Sequence, residues 1–341
     1  MEIQQAMFDT DSVTETRTAM FGTPEISALA KIEAALMSGA RRYFEDHGFI
    51  EIMVPHLTKA TGACENINTM FEVNFFNMKK IYLAQTGQLY LEVLTPSLKK
   101  VWCISPSFRA EPDVDNRHLI EFPLIEIEFA GGFDELLEHI QNIIHNMIRH
   151  MLSRCHEEME ILNIDRKRIS GYMKPFKRIT YTEAIELLQK TIEPGIKWGD
   201  DLKSRHEKFI VEHCGGMPIF ITHYPKEIKF FNMKEDETNP DVVKSSDLIM
   251  PFSGEAVGAA EREYEYENIY RRLRESKMLK MLIEKGGSIN DFKWFLDFYK
   301  TKKSVPHAGC GIGFNRITQA ILGIDDIRAA TVWPLNRETI Y

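Results

Sequence analysis

Apolar positions recur at helical spacing from Pro24 to His47, where Ile26, Leu29, Ile32, Leu36, Ala40 and Phe44 form one stripe ahead of Gly48. This predicts a long amphipathic helix stopped by a glycine. FIEIMVP then alternates briefly and ends on a proline, as a strand leaving the helix would. Between Phe71 and Leu94 short apolar runs alternate with turn residues. WCISPSFRAE and LIEFPLIEIEFAGG read as two strands bracketing the polar loop PDVDNRH, which predicts an antiparallel hairpin with a charged tip. Helical periodicity returns from Asp134 to Leu162, and a further helix is expected from Thr182 to Gln189 with a threonine cap before Glu183. Strands are expected again at PIFITHYP, IKFFNM and DLIMPF. The last hundred residues predict a highly charged helix (EREYEYENIYRRLRESKMLKMLIEK) and another near DFKWFLDFYK. They also hold GCGIGFNRITQAIL, which passes from small residues to helical spacing. Strands and helices mix without βαβ alternation, so the expected fold class is α+β, an antiparallel β-sheet flanked by helices.

Composition narrows the picture without changing it. Of 341 residues, 44% are hydrophobic and 27% charged, the balance of a globular chain able to bury a large core. The formal net charge is -8 and the basic residues are scattered, so the footprint of a dedicated nucleic-acid binder is missing. Cys64, Cys103, Cys155, Cys214 and Cys310 are odd in number and form no CxxC pair, which suits a reducing compartment. The polar, acidic first twenty residues carry no apolar signal segment, and no run of about 18 apolar residues occurs. These features predict a cytoplasmic protein with no membrane partner.

Three segments could carry chemistry. In FRAEPDVDNRHLIEF, Arg109 and Glu111 alternate and are expected to project from one face of a strand, with Arg117 and His118 at the hairpin tip and Phe122 offering a flat apolar face. A guanidinium fork beside a π surface suits a nucleotide, although any single Arg/Glu pair is also what a solvated hairpin carries. In GCGIGFNRI, three alternating glycines allow close backbone approach and Arg316 opens the following helix; neither GxGxxG nor GxxxxGK[ST] is present, so Rossmann and P-loop readings lack their fingerprint. In DLIMPFSGEAVGAAERE, Asp247 and Glu255 flank a turn and could share a hard cation through oxygen ligands, or could be capping carboxylates of an ordinary hairpin. Arg262 lies seven residues beyond Glu255, after small residues that leave space for a ligand.

Together these segments resemble the three signature motifs of class II aminoacyl-tRNA synthetases, in the aspartyl/asparaginyl branch, over nearly all of residues 24 to 337. GFIEIMVPHLT resembles motif 1, SFRAEPDVDNRHLIEF motif 2, and GCGIGFNRI with LGIDDIRAATVWPLNR motif 3; TGQLYLE, HYPKEIKFFNM and DLIMPFSGE are asparaginyl-like. The resemblance implies ATP and Mg2+ as cofactors. It places Arg109 on the α-phosphate and substrate carboxylate, Glu111 on the adenine edge, Phe122 and Arg316 on its two faces, and Arg117 and His118 on the outer phosphates. It assigns Asp247 and Glu255 to the metal, Gln88 and Glu65 to the substrate amino group, and Arg262 to its side-chain oxygen. Aspartyl enzymes carry a lysine for the side-chain carboxylate where Leu91 stands, which implies that Leu91 lines the amino-acid pocket and favours asparagine over aspartate. Asn315 and Ala259-Ala260-Glu261 depart from the family pattern.

The resemblance also implies a homodimer through motif 1. It gives a domain plan of an N-terminal extension (1–23) and a catalytic domain (24–341) without the OB-fold that reads anticodons. The leading expectation is therefore an AMP-forming ligase that activates asparagine or an analogue for a non-tRNA acceptor. An aspartate- and ammonia-using asparagine synthetase, a tRNA ligase without anticodon reading, and a non-catalytic sensor are the alternatives.

Overall fold

The first long helix begins where Thr23 caps it, its hydroxyl accepting from the Ile26 amide at 3.4 Å, with Pro24 pre-set at the first helical position. The result is α1 (Pro24–Asp46), and the predicted apolar stripe is its buried face. The structure is a computed structural model and describes residues 17–60, 67–76 and 81–340. Arg17–Met20 form a short helix, where Arg17 is buried and donates to the Arg328 carbonyl at 2.8 Å.

The strands are β1 (Ile50–Glu51), β2 (Leu57–Thr58), β3 (Glu72–Val73), β4 (Ile81–Leu83), β5 (Lys100–Phe108), β6 (Glu121–Phe129), β7 (Lys177–Thr180), β8 (Ile219–Thr222), β9 (Ser245–Met250), β10 (Gly254–Arg262) and β11 (His307–Gly313). Eight of them form one sheet in the order β1-β5-β6-β11-β10-β9-β8-β7. The pairings are antiparallel except at the two ends, where β1 runs parallel to β5 and β7 parallel to β8. The antiparallel sheet of an α+β fold is thus present. β2, β4 and β3 make a small second sheet.

Around the sheet lie α2 (Gln88–Glu92), α3 (Phe133–Arg154), α4 (Tyr181–Lys190), α5 (Ser204–His213), α6 (Tyr266–Glu275), α7 (Lys277–Glu284), α8 (Lys293–Thr301) and α9 (Phe314–Leu322). α1 and α3 cover one sheet face and seal the main core, with Leu29, Ile32 and Phe44 against Ile140, Ile144 and Ile127. They cross at Gly39, where an added Cβ would lie 2.7 Å from the Met147 Cα, so only glycine permits the approach. A second core gathers Phe230, Phe231, Leu273 and Phe295 beneath α6 to α8, and a third joins α4 and α5 to β8.

Some expected elements shift. IKFFNM is not a strand: Phe230 and Phe231 are consecutive and both buried, which an alternating strand between two unlike faces cannot satisfy. α4 begins one residue earlier than expected because Thr180, not Thr182, is its cap, in a reciprocal box with Glu183. The helix expected up to Leu162 breaks at Cys155, and the charged helix near the C-terminus divides at Ser276, whose hydroxyl caps α7.

Candidate active site

One face of β6 sets the axis of the site. Phe122, Leu124, Glu126 and Glu128 alternate toward a cavity of about 630 Å³, while Ile125, Ile127 and Phe129 point into the main core. Phe122 to Glu128 spans about 20 Å of strand. β10 and β11 extend the cavity floor through Glu255, Gly258, Arg262 and Gly311. The sequence-expected residues Gln88, Arg109, Glu111, Arg117, His118, Phe122, Asp247, Glu255, Arg262 and Arg316 all line this cavity. Glu65 lies outside the described residues. Leu91 is corrected: it is fully buried against Val101 and Cys103 rather than lining the cavity, because the five-residue α2 turns it behind Gln88.

At the Phe122 end, the Arg109 guanidinium sits 5.3 Å from the Phe122 ring centre, within cation–π reach. Arg109 and Glu111 do not share a strand, as β5 ends at Phe108; the Arg109 amide donates to Ile120 and the Glu111 amide back to the Arg109 carbonyl. The loop brings both side chains to the cavity all the same. Asp115 closes the loop, accepting from the Arg117 and His118 amides at 2.8 and 2.9 Å and pairing with the His118 ring. Arg117 reaches Glu207 of α5 at 3.1 Å, a buried carboxylate that sequence reading missed. Arg316 donates to the Arg117 carbonyl at 2.9 Å and to that of Ser253. Burial, with Arg117 nearby, pulls Arg316 down to about 10. The segment after α9 braces the same loop: Ile120 donates to the Leu335 carbonyl (3.0 Å), Ile327 to that of Asn116 (2.9 Å), and the Asn116 side chain to that of Asp325 (3.0 Å).

Asp247 of β9 and Glu255 of β10 face the cavity across one hairpin. Both oxygens of Asp247 accept from Lys229, at 2.9 and 2.8 Å. No group of three or more His, Cys, Asp or Glu side chains is arranged to hold a metal among the described residues. Two hard carboxylates fit magnesium, which is usually held by one or two carboxylates plus substrate phosphates. Such an ion would neutralise phosphate charge there.

At the other end Arg262 and Glu128 form a buried pair: Nε and Nη2 donate to Glu128 Oε1 at 3.0 and 2.7 Å. Glu128 Oε2 is buried and accepts from nothing. Burial, opposed by Arg262 and reinforced by Glu92, lifts the Glu128 carboxyl to about 7. Glu126 is satisfied by Thr86 and by the Gly87 amide at 2.7 Å. Opposite Glu128 stands Gly309, where an added Cβ would lie 2.1 Å from the Glu128 Cδ. Sequence reading passed over Glu126 and Glu128, although two carboxylates alternating within the apolar run LIEIEF were the available signal.

Arginines around an aromatic face, paired carboxylates and a polar floor thus lie together along one sheet, an arrangement that suits a nucleoside triphosphate with Mg2+. A model of the class II tRNA synthetases (D, K and N) matches residues 9–337; the chain belongs to that family and is an ATP-dependent, AMP-forming ligase that uses Mg2+. It is 37% identical over 327 residues to the asparagine–tRNA ligase of Pelotomaculum thermopropionicum, covering 95% of this chain and 72% of that protein. The asparaginyl-tRNA synthetase of Pyrococcus horikoshii, solved with asparaginyl-adenylate, superposes with a TM-score of 0.86 at 34% identity, over 97% of this chain and 73% of that one. The Entamoeba histolytica asparaginyl-tRNA synthetase with asparaginyl-adenylate gives 0.81 at 27% identity, over 96% and 71%. No described helix is long and apolar enough to cross a membrane.

Proposed function

We propose that the cavity joins asparagine to the α-phosphate of ATP, forming asparaginyl-adenylate and releasing pyrophosphate. The observation that carries this reading is the floor: Arg262 sets guanidinium donors beside Glu128 Oε2, an acceptor with no partner. A carboxamide answers both, its oxygen to the arginine and its NH2 to the glutamate. Aspartate would set a second carboxylate against Glu128, which also counts against the ammonia-dependent synthetase. The relatives named for asparagine support the same choice.

In this reading Gln88 meets the α-amino group, and Arg109 draws the substrate carboxylate onto the α-phosphate. Arg109 then balances the charge that builds as the carboxylate oxygen attacks and pyrophosphate leaves in line. Phe122 and Arg316 hold adenine between them with Glu111 at its edge, Arg117 and His118 take the outer phosphates, and Asp247 and Glu255 hold magnesium. ATP–pyrophosphate exchange with each of the twenty amino acids tests it. Asparagine is expected to support exchange, and exchange with none of them sinks the reading. Gly309→Ala, which forces Glu128 away from Arg262, is expected to raise the asparagine KM at least about tenfold in that assay.

For the acceptor, the relatives' names favour tRNA; the net charge of -8 with scattered basic residues is the one feature that speaks for a non-tRNA acceptor, through the missing basic footprint. Labelled asparagine offered with total tRNA decides: acid-precipitable label selects tRNA, and its absence beside active exchange selects a non-tRNA acceptor. Residues 24–341 act as one catalytic domain in this reading, and as a homodimer. Ile50 of β1, Leu57 of β2 and Met53 between them leave large apolar side chains exposed, Met53 at 92%. Sedimentation at micromolar concentration is expected to show the dimer; a monomer overturns it.

A further inference from the structure

Behind the floor lies a second polar layer that touches no part of the cavity. Glu92 is fully buried at the last position of α2, one helical turn from Gln88. Its Oε1 accepts from the Gln88 amide at 2.7 Å and from the Asn232 amide. Its Oε2 accepts from the Tyr299 hydroxyl at 3.2 Å, with the His307 Nε2 at 3.7 Å. Thus α2, the loop before Met233, α8 and β11 all converge on one carboxylate.

Two consequences follow from its chemistry. A carboxylate only accepts, so the amide facing it must present NH2, and the Gln88 carbonyl is left as the group available to the cavity. The same carboxylate adds negative charge beside the Arg262–Glu128 pair, where it helps to lift the Glu128 carboxyl. Two glutamates then share one guanidinium and the His307 ring, whose proton burial opposes and Glu92 and Glu128 favour, around a floor nearly closed to water.

We infer that Glu92 is a positioning and specificity-determining residue, which aims the Gln88 carbonyl at the substrate's α-amino group and supplies the charge that turns away an anionic side chain. The inference rests on the reading that this cavity activates an amino acid with a neutral carboxamide. Without Glu92, Arg262 faces Glu128 alone, His307 loses the carboxylate that favours its proton, and an aspartate side chain meets less negative charge; without its reach, Gln88 loses its orientation.

Three variants assayed by pyrophosphate exchange with asparagine and with aspartate separate these roles. Glu92→Gln keeps the shape and removes the charge, and is expected to raise the aspartate-to-asparagine ratio of kcat/KM about tenfold or more, mainly through a lower aspartate KM. Glu92→Asp keeps the charge and shortens the reach, and is expected to hold the ratio while raising the asparagine KM several-fold at little changed kcat. Tyr299→Phe removes one donor to Glu92 but not its charge and should leave the ratio near wild type; if Glu92→Gln fails to fold, Glu92→Asp still decides the positioning role through the asparagine KM. An unchanged ratio in folded Glu92→Gln overturns the inference, as does an unchanged asparagine KM in Glu92→Asp. Absence of asparagine exchange in the wild type instead overturns the underlying reading and leaves the two failures distinct.

Discussion

Arg262→Leu is expected to abolish asparagine-dependent exchange and to lower the melting temperature by roughly 5 to 10 °C. The substitution removes the donor edge of the floor and strands Glu128, buried opposite Gly309, without its cation. Removing one member of a buried ion pair costs about 3 to 5 kcal/mol, because the remaining charge is uncompensated. The cost depends on pH in a definite direction. Burial lifts the Glu128 carboxyl well above an ordinary carboxylate in the folded protein, Arg262 opposes that lift, and losing Arg262 raises it further. A folded-state pKa above the unfolded one means stability present at low pH and lost as pH rises through the window between them. The melting deficit of the variant should therefore grow from pH 6 to pH 8. Adding Glu128→Gln is expected to recover much of the stability and none of the exchange. Wild-type exchange by Arg262→Leu would remove Arg262 from the site.

Arg109→Ala is the complementary case, with a large loss of rate and little loss of fold. Arg109 stands over Phe122 at the root of the loop, with a buried Nε that has no partner and no ion pair among the described residues. Losing a group so placed is expected to cost ligand handling rather than folding. Removing a preorganised donor of this kind typically costs about 10² to 10³ in rate, and that fall in kcat/KM is expected in the exchange assay, with the melting temperature nearly unmoved. Arg109→Lys should restore little, since a point charge cannot reproduce a planar fork. A drop below tenfold would show that the α-phosphate is held elsewhere.

What was legible in the sequence was whatever a period or a motif could carry. The stripe from Ile26 to Phe44 predicted α1 almost to the residue, because a long helix on a large core repeats its signal many times. Arg109, Glu111, Arg316, Asp247 and Glu255 could be named because their spacing resembled known motifs. Leu91 was misplaced because α2 is a single turn embedded in loops, too short for a period to show which way it faces. Arg109 and Glu111 were put on a strand because alternation in a sequence does not show where a strand's partner stops pairing. Glu128 and Glu207 were missed for another reason. Each gains its meaning only across space, from Arg262 in one case and Arg117 in the other.

The two ends of the cavity are held by different parts of the chain. The loop that carries Arg117 leans on Asp325, Ile327 and Leu335, while the floor leans on Glu92, Tyr299 and His307. Few of these supports are shared. A lineage built on this plan can retune which side chain it accepts, through substitutions hidden behind the floor, while its grip on the nucleotide is inherited unaltered.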